Sequence, residues 1–150
     1  KDTGLPFMHN VGVSIMYPTL EEIEDLSHYY AEKLNAAKGP TVFIIPMQGW
    51  SAYDQSAEVA TKDRGWAVGN GDAPQWLPDE NEPRWSKRST LLRSILEKEF
   101  DKKNENLDLI IADMHILEPA FGDLCNKIMS DMIGGKWEKG MYRGIENVIA

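Results

Sequence analysis

Asp113 and His115 stand two residues apart at the end of an apolar run, Leu107 to Asp113, a spacing that lets both face one side of a strand end. There they could form an acid–base couple, the carboxylate orienting the imidazole, as a hydrolase or lyase would need. They could also join Glu118 and His9 around a divalent metal. Or they could serve the fold alone, Asp113 capping a turn and His115 bonding backbone. No metal ligand is assigned on this pattern. A second group, Gly49, Ser51 and Asp54, closes the stretch TVFIIPMQGWSAYD from Thr41 to Asp54. A hydroxyl and backbone N–H groups after a glycine suit an anion, and the same residues suit a local Asx or Ser turn. Cys125 falls on an apolar helical stripe and reads as an inert core thiol. The Gly69-Asn70-Gly71 triplet is too short for a phosphate-loop motif.

These residues need elements to position them. Val11 to Met16 alternates apolar with small residues and predicts a first strand, preceded by an opening loop or edge strand over Leu5 to Asn10. Thr19-Leu20-Glu21-Glu22 is a capping box that starts a helix running to about Ala37, with Ile23, Leu26, Tyr30 and Leu34 on its buried stripe. Gly39-Pro40 stops it, and Thr41 to Ile45 follows as a strand buried on both faces. Ser86 to Phe100 and the segment from Glu118-Pro119 to Gly134 predict two more helices, with the strand Leu107–Asp113 between them. A short helix is expected over Ile145 to Ile149.

The alternation β-α-β-α-β-α predicts an α/β fold, a small parallel sheet in a three-layer, Rossmann-like arrangement spanning residues 1–150 as one domain. In such a sheet the loops at the strand carboxyl ends converge, bringing Tyr17, Thr19, Gln48, Ser51, Asp54, Asp113, His115 and Glu118 to one side. Helix amino termini beside them favour an anion, so a small anionic metabolite is the expected partner. Between Trp50 and Trp85 the chain has no clean period and carries four tryptophans. A partly folded excursion with short helical turns is expected there, because four such side chains offer much apolar surface to bury. A third reading, after the ligand-binding lobe and the enzyme, makes it the interface of a structural or dimerisation lobe.

The 150 residues carry a formal charge of −8, which argues against a nucleic-acid surface. The tightest basic group, Arg84, Lys87, Arg88 and Arg93, is diluted by Glu80, Glu82 and Glu97. A lone cysteine and the lack of a signal-peptide pattern favour the cytoplasm. No apolar run approaches the about 20 residues of a membrane helix. The chain opens without an initiator methionine, and we expect a lobe of a longer protein. Open sheet edges point to a homo-oligomer.

Three stretches, HNVGVSIMYPTLEE (His9 to Glu22), GPTVFIIPMQGWSAYD (Gly39 to Asp54) and DMHILEPAF (Asp113 to Phe121), resemble the carboxyl-terminal lobe of the Tm-one-like proteins, the family that includes the tomato mosaic virus resistance protein. Thr19, Gly49, Ser51, Asp54, Asp113 and His115 match its pattern. The resemblance implies a two-lobed chain whose amino-terminal lobe is the partner of this one, and ATP as a cofactor only of that other lobe. Tyr17 and Gln48 stand where the family commonly has arginine, which weakens bidentate anion binding from those two positions.

Overall fold

The structure, a computed structural model, describes residues 7–60 and 71–149. In chain order its elements are β1 (Phe7–Asn10), β2 (Val13–Ile15), α1 (Leu20–Asn35), β3 (Thr41–Pro46), α2 (Ala57–Ala60), α3 (Lys87–Glu99), β4 (Leu107–Ala112) and α4 (Pro119–Ile133). β3 and β4 pair in parallel, Thr41 opposite Leu107 through Pro46 opposite Ala112. The pairing runs past the strand ends, with Met47 N–H donating to Ala112 O at 2.8 Å and Gln48 N–H to Met114 O at 3.1 Å.

The two-residue period of these strands sorts their side chains into two cores. Phe43, Ile45 and Met47, with Leu109 and Ile111, face Ile23 and Ala31 of α1 and Leu92 and Leu96 of α3. Val42, Ile44, Ile110, Ala112 and Met114 face the other way, onto Leu124 and Ile128 of α4 and the buried Tyr142. Helices therefore cover both faces of a small parallel sheet, and the fold is three-layered α/β. Both strands read as nearly continuous apolar runs for that reason.

The capping box of α1 forms as its sequence requires. Thr19 Oγ1 accepts from Glu22 N–H at 3.2 Å, and Glu22 Oε2 accepts from Thr19 N–H at 2.8 Å. Such a cap stabilises a helix by about 1 kcal/mol. The buried line of α1 is Ile23, Ser27 and Ala31, small at its second and third positions; Ile23 and Ala31 share a core with Leu92 and Leu96 of α3, and Tyr30 and Leu34 pack at its flank. Among the described residues no helix is long and apolar enough to cross a membrane.

Two expectations are corrected. The first strand is shorter than Val11–Met16 and does not join the parallel sheet. Val13–Ile15 pairs antiparallel with Phe7–Asn10, in the register Phe7 to Ile15 and Asn10 to Val13. The cause is local: Asn10 Oδ1 accepts from Gly12 N–H at 2.9 Å and turns the chain back on itself. The parallel sheet consequently has two strands among the described residues. The tail does not form a helix at Ile145 to Ile149. Asn147 adopts φ 63°, which breaks any helix, and the tail instead runs antiparallel to β4, with Val148 bridging Ala112 and Ile149 N–H donating to Ile111 O at 2.8 Å.

Candidate functional site

The chain leaving β3 closes into a tight loop from Gly49 to Asp54. Gly49 has φ 119°, and a Cβ there would lie 1.7 Å from Asp54 O, so only glycine lets the two ends of the loop meet. Inside the loop Ser51 Oγ accepts from Tyr53 N–H at 3.2 Å and Ser51 O from Asp54 N–H at 3.0 Å. His115, fully buried, reaches in from beyond β4 and donates from Nε2 to both Ser51 O and Asp54 O, each at 3.1 Å. Its Nδ1 accepts from Leu117 N–H at 3.1 Å, which specifies the Nε2–H tautomer. His115 thus fastens the loop after β3 to the loop after β4.

Asp54 is 4% exposed. Its carboxylate accepts from Ser86 Oγ at 3.0 and 3.1 Å and from Trp50 N–H at 3.3 Å. Burial nevertheless pushes its pKa up from 3.8 to about 6, against the lowering effects of the Ser86 hydroxyl, the Arg88 charge and Trp50 N–H. A carboxyl kept at such a cost beside a cleft is characteristic of binding sites.

Asp113 has other company. It accepts from Trp85 Nε1 at 2.7 Å and Gln48 Nε2 at 3.1 Å, and Arg84 lies 3.5 Å from its second oxygen. Asp113 and His115, paired on paper, therefore serve different networks. Glu118 Oε1 accepts from His115 N–H at 3.1 Å, and the side chain of His9 lies outside the described residues. Among the described residues no three His, Cys, Asp or Glu side chains group closely enough to hold a metal ion. Thr19 is occupied as the cap of α1. Gly49, Ser51, Asp54 and His115 are the predicted residues that come together.

A cleft of about 390 Å3 opens beside this knot. Ile15, Met16, Tyr17 and Pro18 form one wall, and Trp50, Ser51, Tyr53 and Asp54 form the other. Gln75 and Arg88 complete the lining. Arg88 is 4% exposed; its Nη1 donates to Gln75 O at 2.6 Å, its Nε to Pro18 O at 3.2 Å, and its guanidinium carbon lies 5.3 Å from the Tyr17 ring centroid. The other three members of the basic group point elsewhere and pair with the glutamates beside them: Arg84 with Glu82, Lys87 with Glu80, Arg93 with Glu97. Gln75 is 8% exposed, and its Nε2 has no hydrogen-bond partner among the described residues. Gln55 Oε1 and Trp137 Nε1 share that condition, but neither residue lines the cleft.

A larger groove of about 750 Å3 runs along β4, between Phe100 and the tail. Most of its charged groups are engaged with the protein: Lys139 Nζ with Lys102 O and Asn104 O, Asp108 with Gly140 N–H and, at 3.9 Å, Arg143, and Glu97 with Arg93. The smaller cleft is the better candidate because it holds a buried donor still unmatched.

Sequence reasoning passed over Arg88 and Gln75. Arg88 had a signal, lying four residues before Leu92 and seven before Ile95, on the buried stripe of α3. Gln75 had none, for it sits in the aperiodic excursion. That excursion is partly folded: α2 is one turn, Ala73 N–H bonds Gln55 O, Gln75 N–H bonds Tyr53 O, and Pro78 bridges Ser86. Two of its tryptophans serve the core, Trp50 donating to Ser89 Oγ and Trp85 to Asp113. Trp66 lies outside the described residues.

Fold and site together define an α/β domain with a ligand-sized cleft at the carboxyl end of its parallel strands. Residues 5–67 of the chain match the profile of the Uncharacterised protein family (UPF0261) C-terminal domain. A UPF0261 protein of Clostridium tetani (strain Massachusetts / E88) is 42% identical over 53 residues, which is 35% of this chain and 13% of that protein. The chain thus aligns with a small part of its relative's length. No solved structure matches it. The matched segment carries Tyr17, Gly49, Ser51 and Asp54, while Gln75, Arg88 and His115 lie beyond it.

Proposed function

We propose that this domain is a ligand-binding lobe of a Tm-one-like cytoplasmic protein, and that it holds a small anionic metabolite in the cleft between Tyr17-Pro18 and the Trp50–Asp54 loop. One observation carries the reading. Gln75 Nε2 is a buried donor without a partner among the described residues, in the same lining as a buried guanidinium. A donor left in that state costs about 1–3 kcal/mol, and an acceptor-rich ligand would recover it. The location agrees with the general placement of ligands at strand carboxyl ends in α/β sheets. A guanidinium over the Tyr17 ring, that of Arg88, supports the reading at one of the two positions where the resemblance expects arginine.

The test is a 15N–1H NMR titration of the chain with sodium phosphate and sodium acetate, following the Gln75 side-chain amide and the Trp50 indole N–H. Localised, saturable shifts at those two groups are expected. Saturating anion that moves neither would end the proposal.

A further inference from the structure

We infer that the outer edge of β3 is a dimer contact, where the β3 of a second copy of this chain pairs antiparallel about a two-fold axis at Phe43. The odd-numbered residues of β3 turn their backbone groups to β4: Thr41 N–H donates to Asn106 O at 2.7 Å and Met47 N–H to Ala112 O at 2.8 Å. Successive residues of a strand face opposite ways. Val42 and Ile44 therefore aim an N–H and a C=O each away from β4, and none of these groups has a partner among the described residues. Burial follows the same division. Thr41, Val42, Phe43 and Ile44 are all partly exposed, whereas every residue of β4 except Leu109 is buried. The usual guards of an edge are missing here, because Gly39 to Gln48 carries no charged residue and its prolines, Pro40 and Pro46, flank the open stretch. At Pro46 the edge is already closed by α3, with Ser89 Oγ donating to Pro46 O at 2.8 Å. An apolar strand left open in this way is a template for another strand.

The strand is complementary to itself. With the axis at Phe43, that residue stands opposite its own counterpart, and each Val42 stands opposite an Ile44. Each such couple exchanges both of its N–H···O bonds, so every outward group of the two residues is matched. Phe43 supplies the pair between them, where side chains approach most closely and ring meets ring. The formal charge of −8 lies outside this stretch, so pairing sets no like charges against each other along the strands.

The far edge of the sheet excludes the head-to-tail alternative, β3 on the β4 of a second copy. The tail occupies the carboxyl end of that edge, with Asp113 N–H donating to Asn147 O and Ile149 N–H to Ile111 O, both at 2.8 Å. The remainder faces the groove lined by Lys102, Lys139 and Arg143, charges of the kind that keep strands off an edge. With one edge shut and the other open, copies meet through the same edge, and the assembly closes at two.

The test is sedimentation velocity of the chain over a concentration series, paired with amide hydrogen exchange read by NMR at both ends of that series. A monomer that becomes a dimer is expected, with the Val42 and Ile44 amides protected only at high concentration. Phe43 and Ile45, whose N–H groups face β4, should be protected throughout. Val42→Lys, at a partly exposed position, should raise the dissociation constant by about tenfold or more, since it sets a charge beside its symmetry mate. Should that variant fail to fold, exchange at Val42 and Ile44 in the unaltered chain decides alone. A chain that stays monomeric at every concentration would overturn the proposal. So would a dimer in which Val42 and Ile44 exchange freely, for its contact lies elsewhere. Protection of both amides in the dilute monomer would overturn it too, because the edge is then covered within one copy.

Discussion

The Gly49–Asp54 loop and the stretch from Ala73 to Ser89 border the same cleft, and they are finished differently. In the loop the polar groups meet partners: the Ser51 hydroxyl, the carbonyls of Ser51 and Asp54, and both nitrogens of His115. Across the cleft, Gln75 keeps an amide donor with no partner among the described residues. A region whose hydrogen bonds close on themselves is built for shape. A region that carries an uncompensated cost is where a molecule from outside completes the count. Residue type alone would have ranked them the other way, because serine, aspartate and histidine look like chemistry and glutamine does not.

Substitutions can break that contrast. Gly49→Ala should have the largest effect, about 5 kcal/mol or outright failure to fold, because its methyl would occupy the place of Asp54 O. Urea denaturation reads it, and a loss under 1 kcal/mol would mean the loop has another way to close. His115→Ala should cost about 4 kcal/mol by the same measurement, from a cavity plus two carbonyls stripped of their donor. If His115→Ala proved stable yet blocked ligand binding, the loop would be the chemical half of the cleft after all.

Asp54 sharpens the contrast through pH. Its folded-state pKa of about 6 lies above the ordinary 3.8, so the folded protein holds that proton more tightly than the unfolded chain. The resulting stability is full below about pH 4 and is lost as pH rises through about 6, on the order of 3 kcal/mol in all. Asp54→Asn should flatten that stretch of a stability–pH curve, and an unchanged slope would contradict the assignment. The smallest effect belongs to Gln75→Met, a gain of about 1 kcal/mol from removing an unmatched donor. A loss of similar size in thermal unfolding would show that the amide has a structural role.

How far the sequence reaches can be followed residue by residue. The capping box at Thr19 and Glu22, the parallel strands and the apolar stripes of α3 and α4 are local patterns, and local patterns survive into the fold. Val13–Ile15 shows the limit: its alternation identifies a strand but not which neighbour it pairs with, and the Asn10–Gly12 turn gave it a nearer one. Asn147 defeated the tail helix in the same way, through one backbone angle. At the site, Ser51, Asp54 and His115 were visible as polar residues at strand ends, yet their partners are carbonyls and a serine far along the chain. Arg88 was legible as a polar residue on a buried stripe. Gln75 was not, since its significance lies in a bond it does not make.

The reach of His115 also has a consequence in time. Its two carbonyl partners precede it by 64 and 61 residues. On the ribosome, where synthesis runs at about 5–20 residues per second, the ends of that loop wait several seconds for their clasp to emerge. The segment that carries most of the cleft walls is translated before His115, and its final shape is postponed until β4 and the turn after it have been made.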